Sequence, residues 1–361
     1  MMHLIDTLDI GGAERVAVNL VNSLPRENYK CFLCSTREDG PLDELVAKDV
    51  QRLSLGRRWR FDIFALNRLI AYIRLNNIQI LHAHSTSLFI AVFSSLLPPY
   101  PVVIWHIHSG KYAIERVKNL LYRLCTRRVH GVIAVNQSLV EWSQRELNIP
   151  KELVWYVPNF VELPKMNQDS NVRLPGHPGN RIVCVANIRP EKGILVLIDA
   201  MEVVVTQAPH AHLIIAGSTS DSDYFAQIRR KIEEKDLEHF ISLLGRCQDI
   251  ATILRACDIG VISSVSEGLP LALLEYGAAG LPVVSTQVGQ CSEVLEEGQA
   301  GLLVPPSEPQ ALAEALLKYL GSSVLRDRYG HRLNTRIKLF YSKESSVDKT
   351  SKIYQKILTE A

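Results

Sequence analysis

Short apolar runs alternate with helix-period segments along the whole chain. In the first half the runs lie at 2–5, 31–34, 78–81, 102–107, 131–135 and 153–157. They are continuous rather than alternating, the mark of strands buried on both faces of a parallel sheet. Helical patterns fall between them, near 13–24, 61–75, 114–127 and 137–147. The rhythm stops between Pro158 and Gly179, where Pro158, Pro164, Pro175 and Pro178 sit among polar residues without periodicity. That segment reads as a linker. The alternation then restarts, with strands predicted at 181–187, 212–217, 239–244, 258–263, 282–285 and 301–304. Helices are predicted near 193–206, 223–235, 248–256, 270–279 and 308–320, and a last helical pattern runs from Ser342 to Leu358.

Two βαβ series joined by a linker imply an α/β chain of two doubly wound, Rossmann-like domains. Their expected bounds are 1–160 and 161–341, with a terminal helix at about 342–361. Ligands bind such sheets at the carboxyl ends of the strands, so the site is expected in a cleft where two sets of strand ends face each other. A length of 361 residues agrees with two domains. The longest apolar stretch, Leu88 to Leu97, is about half a membrane span, and no signal peptide or transmembrane helix is expected. Seven irregularly spaced cysteines suggest a reducing compartment.

Charge changes the picture in one half only. From Arg52 to Arg128 there are twelve Lys/Arg against Asp62 and Glu115, or +10, which leaves −8 for the rest of a chain of net +2. An anionic partner or surface is implied. The stretches 57–61 and 111–128 interleave cations with apolar side chains, as surfaces that dock on anionic membranes do. No nucleic-acid recognition motif accompanies the charge.

The candidate chemistry lies at strand-to-helix junctions. Ser266-Glu267-Gly268-Leu269-Pro270 joins a predicted strand to a helix that carries Glu275. Such a turn aims backbone N–H groups and the positive end of a helix dipole at one spot, which suits a phosphate. A carboxylate does not help a phosphate bind, so Glu267 and Glu275 are expected to accept hydrogen bonds from hydroxyls on either side. A phosphate flanked by hydroxyls describes a sugar nucleotide. Arg189 and Lys192, three apart after the first strand of the second half, can both reach such a phosphate. Gly11 and Gly12 follow the first strand, where glycine allows close approach of a ligand, but G-x-G-x-x-G is absent. Four histidines, His82, His84, His106 and His108, are placed just after two strands. A zinc site is conceivable, but no carboxylate lies near to orient the rings, so polar contacts to a substrate are favoured. Asp221-Ser222-Asp223 is read as a helix cap rather than a metal-binding D-x-D.

Taken together, these residues resemble the retaining glycosyltransferases of family 4, which have the two-domain GT-B fold. The resemblance rests on Arg189-Pro190-Glu191-Lys192-Gly193, the E-x7-E from Glu267 to Glu275, and Gly301-Leu302-Leu303-Val304-Pro305-Pro306. Pro158-Asn159-Phe160-Val161 is similar to the family's P-N-G-[IV] element, with Phe160 for glycine. Val288-Gly289-Gln290-Cys291-Ser292-Glu293 is similar to its G-G-x-x-E loop, with Gln290 for the second glycine.

By that resemblance, Glu267 would bind hydroxyls of the transferred sugar and Glu275 the ribose. Arg189 and Lys192 would hold the diphosphate, helped by N–H groups near Gly268 and Leu269, and Gly12 would admit the phosphate or acceptor. His108 or His106 would stand beside the reacting sugar. Gly11, Glu14, His82, His84 and His106 are assigned to the acceptor side. The donor would be a UDP- or GDP-linked sugar, used with retention and without metal or other cofactor. The acceptor would be a lipid-linked or polysaccharide-precursor glycan, reached from the cytoplasm at the inner membrane face. A sugar-nucleotide epimerase or a non-catalytic sugar-nucleotide binder on the same fold are the alternatives.

Overall fold

A computed structural model describes residues 1–59, 62–108, 116–161, 173–219, 221–247 and 249–360, with backbone alone at 116–120. Among the described residues the chain forms two compact units, Met1–Asn159 with Lys343–Ala361, and Phe160–Ser342.

The first unit carries a seven-stranded parallel sheet: β1 (Met2–Thr7), β2 (Phe32–Glu38), β3 (Gln51–Ser54), β4 (Ile80–His84), β5 (Val102–Ile107), β6 (Gly131–Ala134) and β7 (Val154–Tyr156). Its spatial order is β3-β2-β1-β4-β5-β6-β7. The helices are α1 (Gly12–Ser23), α2 (Ile63–Leu75), α3 (Leu88–Ser95), α4 (Arg116–Thr126) and α5 (Gln137–Leu147). Every residue of β4, β5 and β6 is buried, which explains their unbroken apolar runs.

The second unit repeats the design with six strands: β8 (Arg181–Val185), β9 (His212–Ala216), β10 (Ile241–Gly245), β11 (Ile259–Ile262), β12 (Val283–Thr286) and β13 (Leu302–Val304). The order is β10-β9-β8-β11-β12-β13. Its helices are α6 (Ile194–Gln207), α7 (Ser222–Glu234), α8 (Ile250–Arg255), α9 (Leu271–Ala279), α10 (Cys291–Val294), α11 (Pro309–Leu320) and α12 (Ser323–Phe340). In both sheets the strand order reverses at the first strand, between β1 and β4 and between β8 and β11. A crevice opens at that switch point in doubly wound folds, at the carboxyl ends of the strands.

The last helix, α13 (Lys343–Glu360), belongs to the first unit. Its buried face, with Thr350, Ile353, Tyr354 and Ile357, lies against the sheet. Gly131 in β6 accommodates it, since a Cβ there would sit 2.6 Å from Ile357 Cδ1.

Three elements escape the sequence patterns. The apolar run from Leu88 is a helix, α3, with Leu88 to Val92 all buried. A continuous apolar run does not distinguish a buried helix from a strand. Edge strand β3 is short and mostly polar, and α12 is amphipathic only weakly, with Gly330, Leu333 and Ile337 buried. Asp221 caps α7 through a 2.9 Å bond accepted from Tyr224 N–H, as predicted.

Candidate active site

Three segments of the second unit meet at its switch point. After β8, a 3-10 turn of Pro190–Lys192 leads through Gly193 into α6. Gly193 is obligatory: its φ is +63°, and a Cβ would fall 2.1 Å from Ser263 O at the end of β11. Ser263 Oγ donates to Lys192 O at 2.9 Å, and Val265 N–H donates to Glu191 O at 2.9 Å. These bonds fix the Lys192 turn against the β11–α9 turn. Lys192 Nζ then donates to Glu267 Oε1 at 2.6 Å, while Ser264 Oγ donates to the same oxygen at 2.7 Å. Thr286 Oγ1, from the end of β12, donates to Ser264 O at 2.7 Å.

The third segment is the Val288–Glu293 loop. Gly289 takes the left-handed conformation, φ +52°, with room for no side chain: a Cβ would lie 2.4 Å from Gly268 O. Gln290 has an ordinary φ of −93°, and its N–H donates to Gly268 O at 2.9 Å. The loop therefore needs glycine at 289 and not at 290.

Glu275 follows in α9 and is 6% exposed. The helix is held by Tyr276, whose hydroxyl accepts from Val185 N–H at 2.7 Å and donates to Val261 O at 3.3 Å. Gly260 makes room for that ring, which would lie 2.6 Å from a Cβ there. No side chain caps the N-terminus of α9, which starts after Pro270. Gly268 and Leu269 lie on the turn just before it. Arg189 opens the Lys192 turn with its side chain exposed. The structure thus brings Lys192, Glu267, Gly268 and the Gly289 loop into direct contact, with Arg189 and Glu275 on the same two junctions.

At the first unit's switch point the histidines are not where the sequence places them. His82 and His84 lie inside β4 and His106 inside β5, with only His108 beyond the strand end. His3 of β1 joins them. Strand pairing sets His3 beside His82 and His84 beside His106, and an offset of two keeps all five on one face. His3, His82 and His84 are fully buried. His82 engages both nitrogens inside the protein, Nδ1 with Tyr354 OH at 2.5 Å and Nε2 with His106 Nδ1 at 3.0 Å. It therefore has no nitrogen left for an acceptor. Burial pushes the pKa of His82, His84 and His106 well below the ordinary value, and that of His3 and His108 down to about 3. His3 was missed because a lone histidine in an apolar strand carries no motif. Its signal is the register with β4, which exists only once the strand order is known.

Gly11 caps α1 in extended conformation, and a Cβ there would meet Glu14 Oε2 at 2.1 Å. A Cβ on Gly12 would meet nothing within 4 Å, so this chain's own packing does not demand that glycine. The basic stretch at 57–61 needs correction. Arg57 is drawn inward, its side chain 3% exposed, and donates to Asp6 Oδ1 at 3.0 Å. Arg58 and Trp59 are exposed, and residues 60–61 and 111–115 lie outside the described residues. No described helix is long and apolar enough to cross a membrane.

Comparison with known proteins bears on the family and the fold. The Glycosyltransferase Family 4 profile matches residues 10–165, and the Glycosyl transferases group 1 profile matches residues 179–322. An Escherichia coli UDP-Gal:alpha-D-GlcNAc-diphosphoundecaprenol alpha-1,3-galactosyltransferase is 24% identical over 88% of this chain and 86% of its own length. An N-acetyl-alpha-D-glucosaminyl L-malate synthase of Bacillus anthracis is 22% identical over 83% and 80%. In fold, Anabaena HepE, solved with UDP-glucose, superposes with a TM-score of 0.84 at 16% identity, over 98% of this chain and 99% of that one. Sucrose-phosphate synthase of Thermosynechococcus elongatus gives 0.81 at 18% identity, over 100% and 99%. The two profiles follow one another along the chain, one for each half, and the chain belongs to the family 4, group 1 glycosyltransferases, with their GT-B fold.

Proposed function

We propose that the second unit binds a UDP-linked sugar and that the enzyme transfers the sugar, with retention and without a metal, to a hydroxyl of a lipid-linked acceptor. The observation that carries this is the Lys192–Glu267 contact at the β8/β11 switch point. An ammonium and a carboxylate side by side suit a donor whose diphosphate adjoins sugar hydroxyls. Glu275, buried one turn into α9, would take the ribose hydroxyls, and Arg189 would add a second cation to the diphosphate. The uridine base and the lipid-linked acceptor are supported by the named substrates of the Escherichia coli relative.

In the proposed reaction the bond between the sugar's anomeric carbon and the diphosphate oxygen breaks, and its electron pair leaves on UDP. Lys192 and Arg189 stabilise that growing charge, the task a divalent cation performs in other enzymes. The acceptor oxygen bonds to the anomeric carbon on the face the diphosphate leaves, and its proton passes to a diphosphate oxygen. No protein nucleophile is then required. His108, beyond the end of β5, would stand beside the sugar.

A thermal-shift panel of UDP-, GDP- and ADP-sugars tests the donor. A ligand at a hundred times its Kd adds about 2.7 kcal/mol of stability. Only UDP-sugars should raise the melting temperature, and Lys192→Ala should abolish the rise. Stabilisation by GDP- or ADP-sugars alone would overturn the assignment of the base. Docking on an anionic membrane face from the cytoplasm belongs to the same proposal. Its support is the exposed Arg58 and Trp59, followed on α2 by exposed Ile63 and Phe64.

A further inference from the structure

The five imidazoles, four of them buried and His108 partly so, are not a random cluster. Two chains of contacts run through them. In the first, His3 Nδ1 lies 2.8 Å from His84 Nε2, and His84 Nδ1 lies 2.9 Å from His108 Nε2. In the second, Tyr354 OH meets His82 Nδ1 and His82 Nε2 meets His106 Nδ1. A cation is the obvious alternative, since His84, His106 and His108 each offer a ligand atom within 4.8 Å of the others. Yet these rings lie 16°, 29° and 31° from parallel. Imidazole lone pairs lie in the ring plane, so near-parallel rings cannot aim three of them at the apex of a tetrahedron. Hydrogen bonding explains the geometry better.

A neutral imidazole has one N–H and one bare nitrogen. Each short bridge needs one donor and one acceptor. If His3 Nδ1 donates to His84 Nε2, then His84 must carry its proton on Nδ1 and donate to His108 Nε2, and His108 must carry its proton on Nδ1. Run in the opposite sense, all three protons sit on Nε2. No mixed arrangement fills both bridges. The end atoms, His3 Nε2 and His108 Nδ1, are buried and have no hydrogen-bond partner among the described residues. One end is therefore a bare N–H and the other a bare lone pair.

We propose that His3, His84 and His108 form one tautomeric unit, and that His3 is a positioning residue that decides whether His108 carries its proton on Nδ1 or on Nε2. This rests on reading His108 as the residue beside the transferred sugar. His3 acts across two intervening bridges and touches no substrate. The same logic makes His82 and His106 a second pair. The buried Tyr354 hydroxyl needs an acceptor, which His82 Nδ1 supplies, and this puts both of their protons on Nε2. Packing keeps the two chains side by side, with ring centroids 4.6 Å apart at His82 and His84 and 4.1 Å apart at His106 and His108.

Long-range proton–nitrogen NMR of the full chain, with 15N-labelled histidine at pH 7.5, reads each tautomer directly. In the wild type, His3, His84 and His108 should show one common tautomer. Different tautomers among the three would overturn the proposal without any variant being made. In His3→Phe, which keeps a ring of similar shape, the separated protonated and bare nitrogen signals of His84 and His108 should move together toward averaged values. His82 and His106 should not change. A His108 spectrum unaffected by loss of His3 would overturn the unit. Turnover of the UDP-sugar in His3→Phe tests the other claim separately. A coupled shift with unchanged kcat would uphold the tautomeric unit and remove His108 from the reaction.

Discussion

Lys192 and Glu267 neutralise each other, Nζ to Oε1 at 2.6 Å, with side chains only 23% and 11% exposed. Neither needs a distant partner to be held in place. Ser264 shares the carboxylate, and the Lys192 backbone is tied to Ser263. In the proposed reaction the ammonium would turn to phosphate and leave the carboxylate for sugar hydroxyls. Lys192→Met should therefore lower sugar transfer by about 10²–10³-fold, the usual effect of removing one group aimed at developing charge. The melting temperature should change little, because Ser264 still bonds Glu267. Wild-type transfer rates in this variant would sink the site.

Glu275 is expected to act on binding rather than on chemistry. Glu275→Gln should weaken UDP binding by about ten- to a hundredfold, the value of a hydrogen bond to a charged group. Calorimetry with UDP would show it, and kcat at saturating donor should fall much less than kcat/KM. Unchanged UDP affinity would take Glu275 out of the nucleotide site.

Gly193 is a backbone requirement at the same junction. Gly193→Ala puts a methyl where Ser263 O already stands and forces a φ of +63° on alanine. A loss of about 1–3 kcal/mol is expected. Urea unfolding should show it in the transition of the second unit, with the first unit's transition unmoved. A variant as stable as the parent would show that the turn rearranges freely.

The histidine layer makes the first unit acid-sensitive. Its five rings are held neutral in the fold, with pKa depressed chiefly by burial. In the unfolded chain they take up protons near pH 6.5. Below that value the unfolded state binds more protons, so stability present at pH 7.5 is lost as pH falls through about 6.5 toward the folded values. Each histidine contributes a slope of up to about 1.4 kcal/mol per pH unit. Urea midpoints at pH 7.5, 6.5 and 5.5 should fall steeply, and His82→Phe should flatten the decline. Equal midpoints at all three values would mean the rings are solvated.

Membrane docking makes its own demand. Trp59 is 76% exposed, Ile63 67% and Phe64 84%. Trp59→Ala with Phe64→Ser should reduce cosedimentation with vesicles rich in anionic lipid and leave transfer to a soluble acceptor analogue unchanged. Equal binding by parent and variant would move the docking surface elsewhere.

Much of this was legible in the residues alone. Continuous apolar runs meant strands buried on both faces, and proline broke the rhythm where the two units join. The spacing of Arg189, Lys192, Glu267 and Glu275 marked the two junctions that the sheet order places side by side. Local chemistry is enough for such features, because a turn glycine or a helix start depends on neighbours in sequence. The histidines show the limit. Whether His82 faces a substrate or another ring depends on which strands flank β4 and in what register, and on α13 returning from the far end of the chain with Tyr354. The same holds for Arg57, whose partner Asp6 lies on another strand. Sequence sets which groups can bond, but long-range contacts decide which of them have already found partners inside the protein and which are left for a ligand.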